Sequence, residues 1–339
     1  MKAVGLHKYL PIEHEESLID IEVQKPVPVG KDLLVEIKAI SINPVDTKVR
    51  SPKDKVEEEA KILGWDASGV VVEAGEECKD FKPGDEVFYA GSITRQGTYS
   101  EYHLVDERIA GKKPQSLSHA EAAALPLTAI TAYEGLFERL SIDPSNKQQN
   151  RGKSILIIGG AGGVGSIAIQ LANWAGLTVI ATASRAETEE WVKNYGADQV
   201  INHHNPIKDE LNRIDMKEVD YIFCLNNTDQ HWEGMSEVIK PQGMICSIVE
   251  NKDPLDLNLL KSKSITFVWE FMFTRAMYQT EDMRKQHLLL NTISELIDQG
   301  IIRTTLNQTL SPINAENIKK AHQAVESGKT IGKIVLEHF

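Results

Sequence analysis

The segment from Ile155 to Gly165 constrains this chain more than any other. Ile155-Leu156-Ile157-Ile158 is an apolar strand candidate that runs into Gly159-Gly160-Ala161-Gly162-Gly163-Val164-Gly165, and a helical pattern follows from Ser166 to Ala175. Gly160, Gly162 and Gly165 stand at G-x-G-x-x-G spacing, the fingerprint of a dinucleotide-binding turn. Each glycine answers a separate need: a tight turn, close approach of backbone to a pyrophosphate, and close packing of helix on strand. The helix N-terminus adds unpaired N–H groups and the positive end of a dipole. Gly160, Ala161, Gly162, Gly163, Val164 and Gly165 are therefore the candidate cofactor cradle. A tight turn that binds nothing is the competing reading, and the strand–turn–helix context argues against it.

At 339 residues the chain is too long for one ordinary core, so two domains are expected. A formal charge of −12 argues against nucleic acid or an anionic membrane as partner. Cys78, Cys224 and Cys246 show neither C-x-x-C pairing nor metal spacing, which suits a reducing cytoplasm. The N-terminal residues carry no apolar leader, and no apolar run is long enough to span a bilayer.

The first 110 or so residues read as short β segments with turns, among them 33–40, 69–73 and 86–89. From about Ala120 the pattern changes to strands alternating with helices. Six strand candidates follow, at 154–158, 178–183, 199–201, 219–224, 243–248 and 265–268, which matches a doubly wound parallel sheet. Residues 282–299 form an amphipathic helix with Met283, His287, Leu290, Ile293, Leu296 and Ile297 on one face, stopped by Gly300. The remainder predicts a strand at 301–305, a helix at 315–327 and a strand at 333–337, returning to the β-rich domain.

Four further motifs, taken with the glycine loop, point to one family. They are Asn43-Pro44-Val45-Asp46; Leu63-Gly64-Trp65-Asp66-Ala67-Ser68-Gly69; Phe81-Lys82-Pro83-Gly84-Asp85-Glu86-Val87; and Leu125-Pro126-Leu127-Thr128-Ala129-Ile130-Thr131-Ala132-Tyr133. In order and spacing these resemble the medium-chain dehydrogenase/reductase superfamily over essentially the whole chain. The resemblance is to its quinone oxidoreductase branch, in the group known as zinc-type alcohol dehydrogenase-like proteins. It implies an α/β fold: a Rossmann doubly wound parallel sheet at 128–276, and a GroES-like β-rich catalytic domain from 1–127 and 277–339.

Zinc alcohol dehydrogenases carry a Cys in a C-x-x-D loop, a His in a G-H-E segment and a further Cys before the nucleotide domain. The matching positions here hold Asn43, Trp65, and Leu127 or Thr128. An amide and an indole cannot replace thiolate and imidazole. Asp46 and Asp66 alone make a poor tetrahedral site, so no metal is expected.

NAD-preferring sites end the second strand with an acid on the ribose hydroxyls. Here the strand ends at Ser184-Arg185 with no acid before Glu187, and the guanidinium can pair with a 2′-phosphate while Ser184 adds a hydrogen bond. His203 matches a phosphate-binding Tyr of related NADPH quinone reductases, and Lys333 matches a basic residue that approaches the cofactor in relatives. Solvated surface cations are the alternative for Arg185, His203 and Lys333. NADPH is the expected cofactor.

By resemblance, Asn43 and Thr131 border the nicotinamide and substrate, with Thr128 a further cofactor-side candidate. Either threonine has the alternative of capping or packing a helix. Arg50 matches a basic residue that anchors a carbonyl oxygen, with a solvated surface role as its alternative. Asp46 is expected to orient the loop or the ribose, and Tyr99 and Tyr102 to pack in the β domain. Residues 47–55 contain no Tyr, unlike the proton-donating segment of enoyl-thioester reductases.

Without a Lewis acid, conjugated acceptors that already spread negative charge are the natural substrates. The expectation is hydride transfer from NADPH to quinones or α,β-unsaturated carbonyls. The alternatives are a zinc-type alcohol dehydrogenase and a non-catalytic NADPH-binding sensor or structural protein. The aromatic segment Phe267-Val268-Trp269-Glu270-Phe271-Met272-Phe273 resembles the sheet edge through which relatives form homodimers.

Overall fold

The computed structural model describes Met1–Phe339 as two compact units, one formed by Met1–Ile130 with Phe273–Phe339 and the other by Thr131–Met272. These bounds lie a few residues from the expected ones, because the break falls inside the helix Pro126–Tyr133.

In chain order the strands are β1 (Lys2–Tyr9), β2 (Ile19–Glu22), β3 (Asp32–Ser41), β4 (Lys53–Ile62), β5 (Asp66–Ala74), β6 (Glu86–Tyr89), β7 (Tyr102–Asp106) and β8 (Ala110–Lys112). The next six are β9 (Ser154–Ile158), β10 (Thr178–Thr182), β11 (Gln199–Ile201), β12 (Val219–Cys224), β13 (Ile239–Ser247) and β14 (Thr266–Trp269). The chain ends with β15 (Leu306–Leu310) and β16 (Lys333–Glu337).

In the second unit the order is β11-β10-β9-β12-β13-β14, every pair parallel, which is the doubly wound plan expected. All five residues of β9 are buried, as a central strand covered on both faces requires. Leu156, Ile180, Ile222 and Ile245 on adjacent strands share one core with Met235 and Trp232 of the helix Thr228–Val238.

The first unit is β-rich. A seven-stranded sheet runs β15-β16-β3-β5-β6-β8 with β7 also on β3, and a smaller sheet runs β2-β1-β4. β3 is the axis of the larger sheet, and its C-terminal end lies between β16 and β5. Ser41 pairs with Val335 on one side and Asp66 on the other. The chain leaves this unit, builds the nucleotide-type sheet, and returns to supply β15 and β16.

One expectation needs correction, and one strand carries no periodic signal. Residues 301–305 are not a strand; the strand is β15, Leu306–Leu310. Gly300 (φ +70°) reverses the chain, and the N–H groups of Ile301 and Ile302 fold back onto Leu296 O, so this stretch caps the preceding helix. That helix is Lys285–Asp298, and its expected apolar face, including Leu290 and Ile293, is buried. β4 carries no apolar alternation in Lys53-Asp54-Lys55-Val56-Glu57-Glu58-Glu59 and is an exposed strand set by its pairing with β1.

Just past β14, Glu270 is buried and accepts from Arg139 Nε at 2.8 Å. Burial, together with the negative charge of Glu134, outweighs Arg139 and holds its carboxyl well above the ordinary 4.5. The unfolded chain therefore gives up this proton first. Stability from the protonated group is whole below pH 4.5 and drains as pH climbs toward the folded-state value. Glu270→Gln should flatten that decline: urea melts from about pH 5 to 9 should show a smaller fall in the variant than in wild type, and parallel curves would refute this.

Candidate functional site

In the nucleotide-type unit, β9 feeds the turn and the helix Gly163–Trp174, with Gly162 as N-cap. A Cβ at Gly165 would lie 2.3 Å from Gly159 O, and one at Gly160 would lie 2.9 Å from Ala181 Cβ. Both positions are thus fixed as glycine by packing. Gly162 differs: its Cβ would meet only Gly159 O at 3.5 Å. Packing leaves that side open, as a pyrophosphate approaching the helix N-terminus requires. Ala161, Gly163 and Val164 are partly exposed around it. The cradle fits a dinucleotide.

Past β10, Ser184 and Arg185 are partly exposed, and Arg185 N-caps the helix Ala186–Asn194. Its Nη1 pairs with Glu187 Oε1 at 2.9 Å in the open, an attachment worth about 0–1 kcal/mol that a phosphate can displace. β10 and β11 run in parallel register, Thr182 opposite Ile201, which carries His203 to the same end of the sheet as Ser184. The His203 ring lies against that of His204, centroids 4.4 Å apart and planes tilted by 51°, and His203 Nδ1 is buried without a partner. Burial and the neighbouring His204 hold His203 below its ordinary value.

In the β-rich unit the sheet register creates a buried polar cluster. Asn43 follows the end of β3, and Asp66 opens β5 and Lys333 opens β16 on its two flanks. Asn43 Nδ2 donates to Asp66 Oδ2 at 2.7 Å. Lys333 Nζ donates to Ile42 O at 2.8 Å, to Asn43 Oδ1, and to Asp66 Oδ2 at 3.3 Å. Asp66 Oδ1 accepts from the Leu127 N–H at 2.7 Å. Burial pushes Asp66 up and Lys333 down, and in each case the partner's opposite charge pulls back.

Asp46, at the start of the helix Pro44–Arg50, accepts from the Asn43 N–H and from the Tyr99 hydroxyl, both at 2.9 Å. Tyr99 has one proton and gives it to the carboxylate, so the 3.0 Å contact with His322 Nε2 is an N–H donated by His322. Burial brings Asp46 up to about 7 and, with Arg50, His322 down to about 3. Asp46 therefore orients the loop that carries Asn43.

Other expected site residues are engaged within the fold. Lys333 is buried on Asn43, which excludes the solvated surface role weighed for it. Arg50 is 2% exposed and donates to Leu10 O and Glu326, so its guanidinium ties the fold together and is not offered to a carbonyl. The Thr128 hydroxyl donates to Leu125 O at 2.9 Å within its own helix. Thr131 is buried in the same helix.

The positions that match zinc ligands carry other duties. The Trp65 indole N–H donates to Ser92 O at 3.0 Å and its ring meets Phe273 edge-on, while Asn43 is clamped as described. An indole nitrogen has no lone pair to give a metal. Nowhere do three His, Cys, Asp or Glu side chains gather as ligands. The residues present do not fit a catalytic zinc.

The model of the alcohol dehydrogenase GroES-like domain matches residues 30–115, and that of the zinc-binding dehydrogenase matches 195–336. The zinc-type alcohol dehydrogenase-like protein SAV2186 of Staphylococcus aureus (strain Mu50) is 47% identical over 336 residues, covering 99% of both chains. This chain belongs to the medium-chain dehydrogenase/reductase superfamily, in its quinone oxidoreductase branch. The human mitochondrial NAD(P)H oxidoreductase RTN4IP1 is 31% identical over 90% of this chain and 81% of its own. The Escherichia coli quinone oxidoreductase complexed with NADPH superposes with a TM-score of 0.83 at 26% identity, over 99% of this chain and all of the other. As a member of this branch the protein is an oxidoreductase.

Reading the sequence missed Asp66 as a partner of Asn43, and it missed His204 and His322. The antiparallel register of β5 on β3 would have revealed Asp66; nothing local marks His322, which lies 223 residues beyond Tyr99. The steric contrast within the glycine loop yields a paired prediction. Gly165→Ala should lower folding stability, whereas Gly162→Ala should leave it within about 1 kcal/mol and still weaken dinucleotide binding at least tenfold. Urea melts and cofactor fluorescence titrations check both. Unimpaired binding by Gly162→Ala would remove the cradle from the account.

Proposed function

We propose that this protein is a zinc-independent, NADPH-dependent reductase of quinones or α,β-unsaturated carbonyls. The observation that carries the reading is the replacement of metal-ligating groups by a closed hydrogen-bonded set: Asn43 clamped by Lys333 and Asp66, beside a buried Trp65. Without a Lewis acid, an alcohol loses the metal that would favour its alkoxide, whereas a conjugated acceptor spreads incoming charge itself. Reduction of a quinone takes one hydride from the nicotinamide and one proton from water, leaving hydroquinone and NADP⁺. Gly160 to Gly165 would hold the pyrophosphate, and Ser184, Arg185 and His203 the 2′-phosphate. The E. coli neighbour bound to NADPH and the human NAD(P)H oxidoreductase support this choice of cofactor.

We assign the protein to the cytoplasm: its three cysteines are free thiols, and no helix is long and apolar enough to cross a membrane. A homodimer is part of the same reading. β14 is the last strand of its sheet, with Trp269 44% and Phe271 46% exposed, an apolar edge that a second copy would cover. Sedimentation should give a dimer that Trp269→Lys shifts toward monomer; a monomeric wild type ends that part.

The activity test is NADPH oxidation in EDTA against a panel of ortho-quinones and enones. Turnover that survives chelation is expected. Arg185→Ala should weaken NADPH binding on the order of tenfold or more and NADH binding little. Equal losses would sink the NADP assignment. Tight NADPH binding with no turnover on any acceptor would favour a sensor, and activity restored only by zinc would mean a metal enzyme.

A further inference from the structure

Asn43 is held by two ions of opposite sign, and their chemistry fixes which way its amide faces. An ammonium has only hydrogens to give, so the atom against Lys333 is Oδ1; a carboxylate only accepts, so the atom against Asp66 is Nδ2. The reversed amide would set N–H against ammonium and carbonyl oxygen against carboxylate, two repulsions in one buried place. All three Lys333 hydrogens are taken, by Ile42 O, Asn43 Oδ1 and Asp66 Oδ2. Both Asp66 oxygens are occupied as well, Oδ1 by the Leu127 N–H. One hydrogen of the Asn43 amide remains beyond the one given to Asp66.

We infer that Lys333 and Asp66 are positioning residues that fix the Asn43 amide with its second N–H left to donate, so that the site takes its substrate by a carbonyl oxygen and stabilises the negative charge building there during reduction. This rests on the reductase reading above. The ammonium on Oδ1 draws electron density through the amide and strengthens the remaining N–H as a donor. A donor fixed before reaction acts on developing charge without reorganisation. The cluster thereby presents a fixed donor to a quinone or enone oxygen.

A purely structural alternative is that Lys333 merely staples β16 to β3. A double-mutant cycle separates the two, using NADPH and an ortho-quinone with the full chain. Asn43→Ala should lower kcat on the order of 10²-fold, as loss of one preorganised donor does. Lys333→Met should lower it on the order of tenfold, with the quinone KM changed less than kcat. If Lys333 acts through Asn43, the double variant falls no further than Asn43→Ala. A full multiplicative loss in the double variant would overturn the inference. Lys333→Arg, which keeps the cation, should recover part of the Lys333→Met loss.

A second readout does not depend on turnover. The Asn43 side-chain ¹⁵N–¹H pair, assigned by its disappearance in Asn43→Ala, should exchange slowly with solvent in wild type and at least about tenfold faster in Lys333→Met. Equal exchange in the two overturns the clamp itself. A wild type that reduces no acceptor while showing the protected amide would defeat the reductase reading and leave the clamped amide standing.

Discussion

The buried pair of Lys333 and Asp66, closed through Asn43, is the interaction on which the β-rich unit depends. Burial presses each ion toward its neutral form, and only the partner charge and a complete set of hydrogen bonds hold the two in place. Removing one member of such a pair typically costs about 3–5 kcal/mol, because the other is left buried and uncompensated. Three strands must be in register to build it: β3 brings Asn43, β5 brings Asp66, and β16 brings Lys333 from 290 residues away. The return of the chain to its first unit after the nucleotide-type sheet is therefore a requirement of the site as well as of the sheet.

The nucleotide-type unit answers to a different constraint, close approach of backbone to backbone. At Gly165 a methyl group would collide with Gly159 and Gly160, so turn and helix can meet only if that side chain is absent. Gly162 is spared this pressure, and packing leaves its side of the loop open. The cationic end of the sheet is built on the same economy of position. Parallel register between β10 and β11 sets His203 at the same end of the sheet as the segment that carries Ser184 and Arg185.

How much could be read from the chain alone follows from the range of each interaction. The glycine loop, the six parallel strands and the buried face of the helix Lys285–Asp298 are local patterns, and they emerged because period and spacing encode them directly. β4 escaped because its charged residues show no alternation, and residues 301–305 misled because Ile301 and Ile302 look apolar yet serve to cap a helix. Arg50 and Lys333 were legible as cations of interest, but their partners, Glu326 and Asp66, lie hundreds of residues away. A cation's role is decided by what it meets, and that is a property of sheet register and not of the local sequence.

The central claim is that this scaffold passes a hydride from reduced nicotinamide to a conjugated acceptor without a metal. Mass spectrometry of the product of one turnover tests it most directly, with [4-²H]NADPH of the transferred face, an enone and excess chelator. The account predicts one deuterium per product molecule, on the carbon β to the carbonyl. A reduced enone free of deuterium, or deuterium on the carbonyl carbon as in an allylic alcohol, would contradict it.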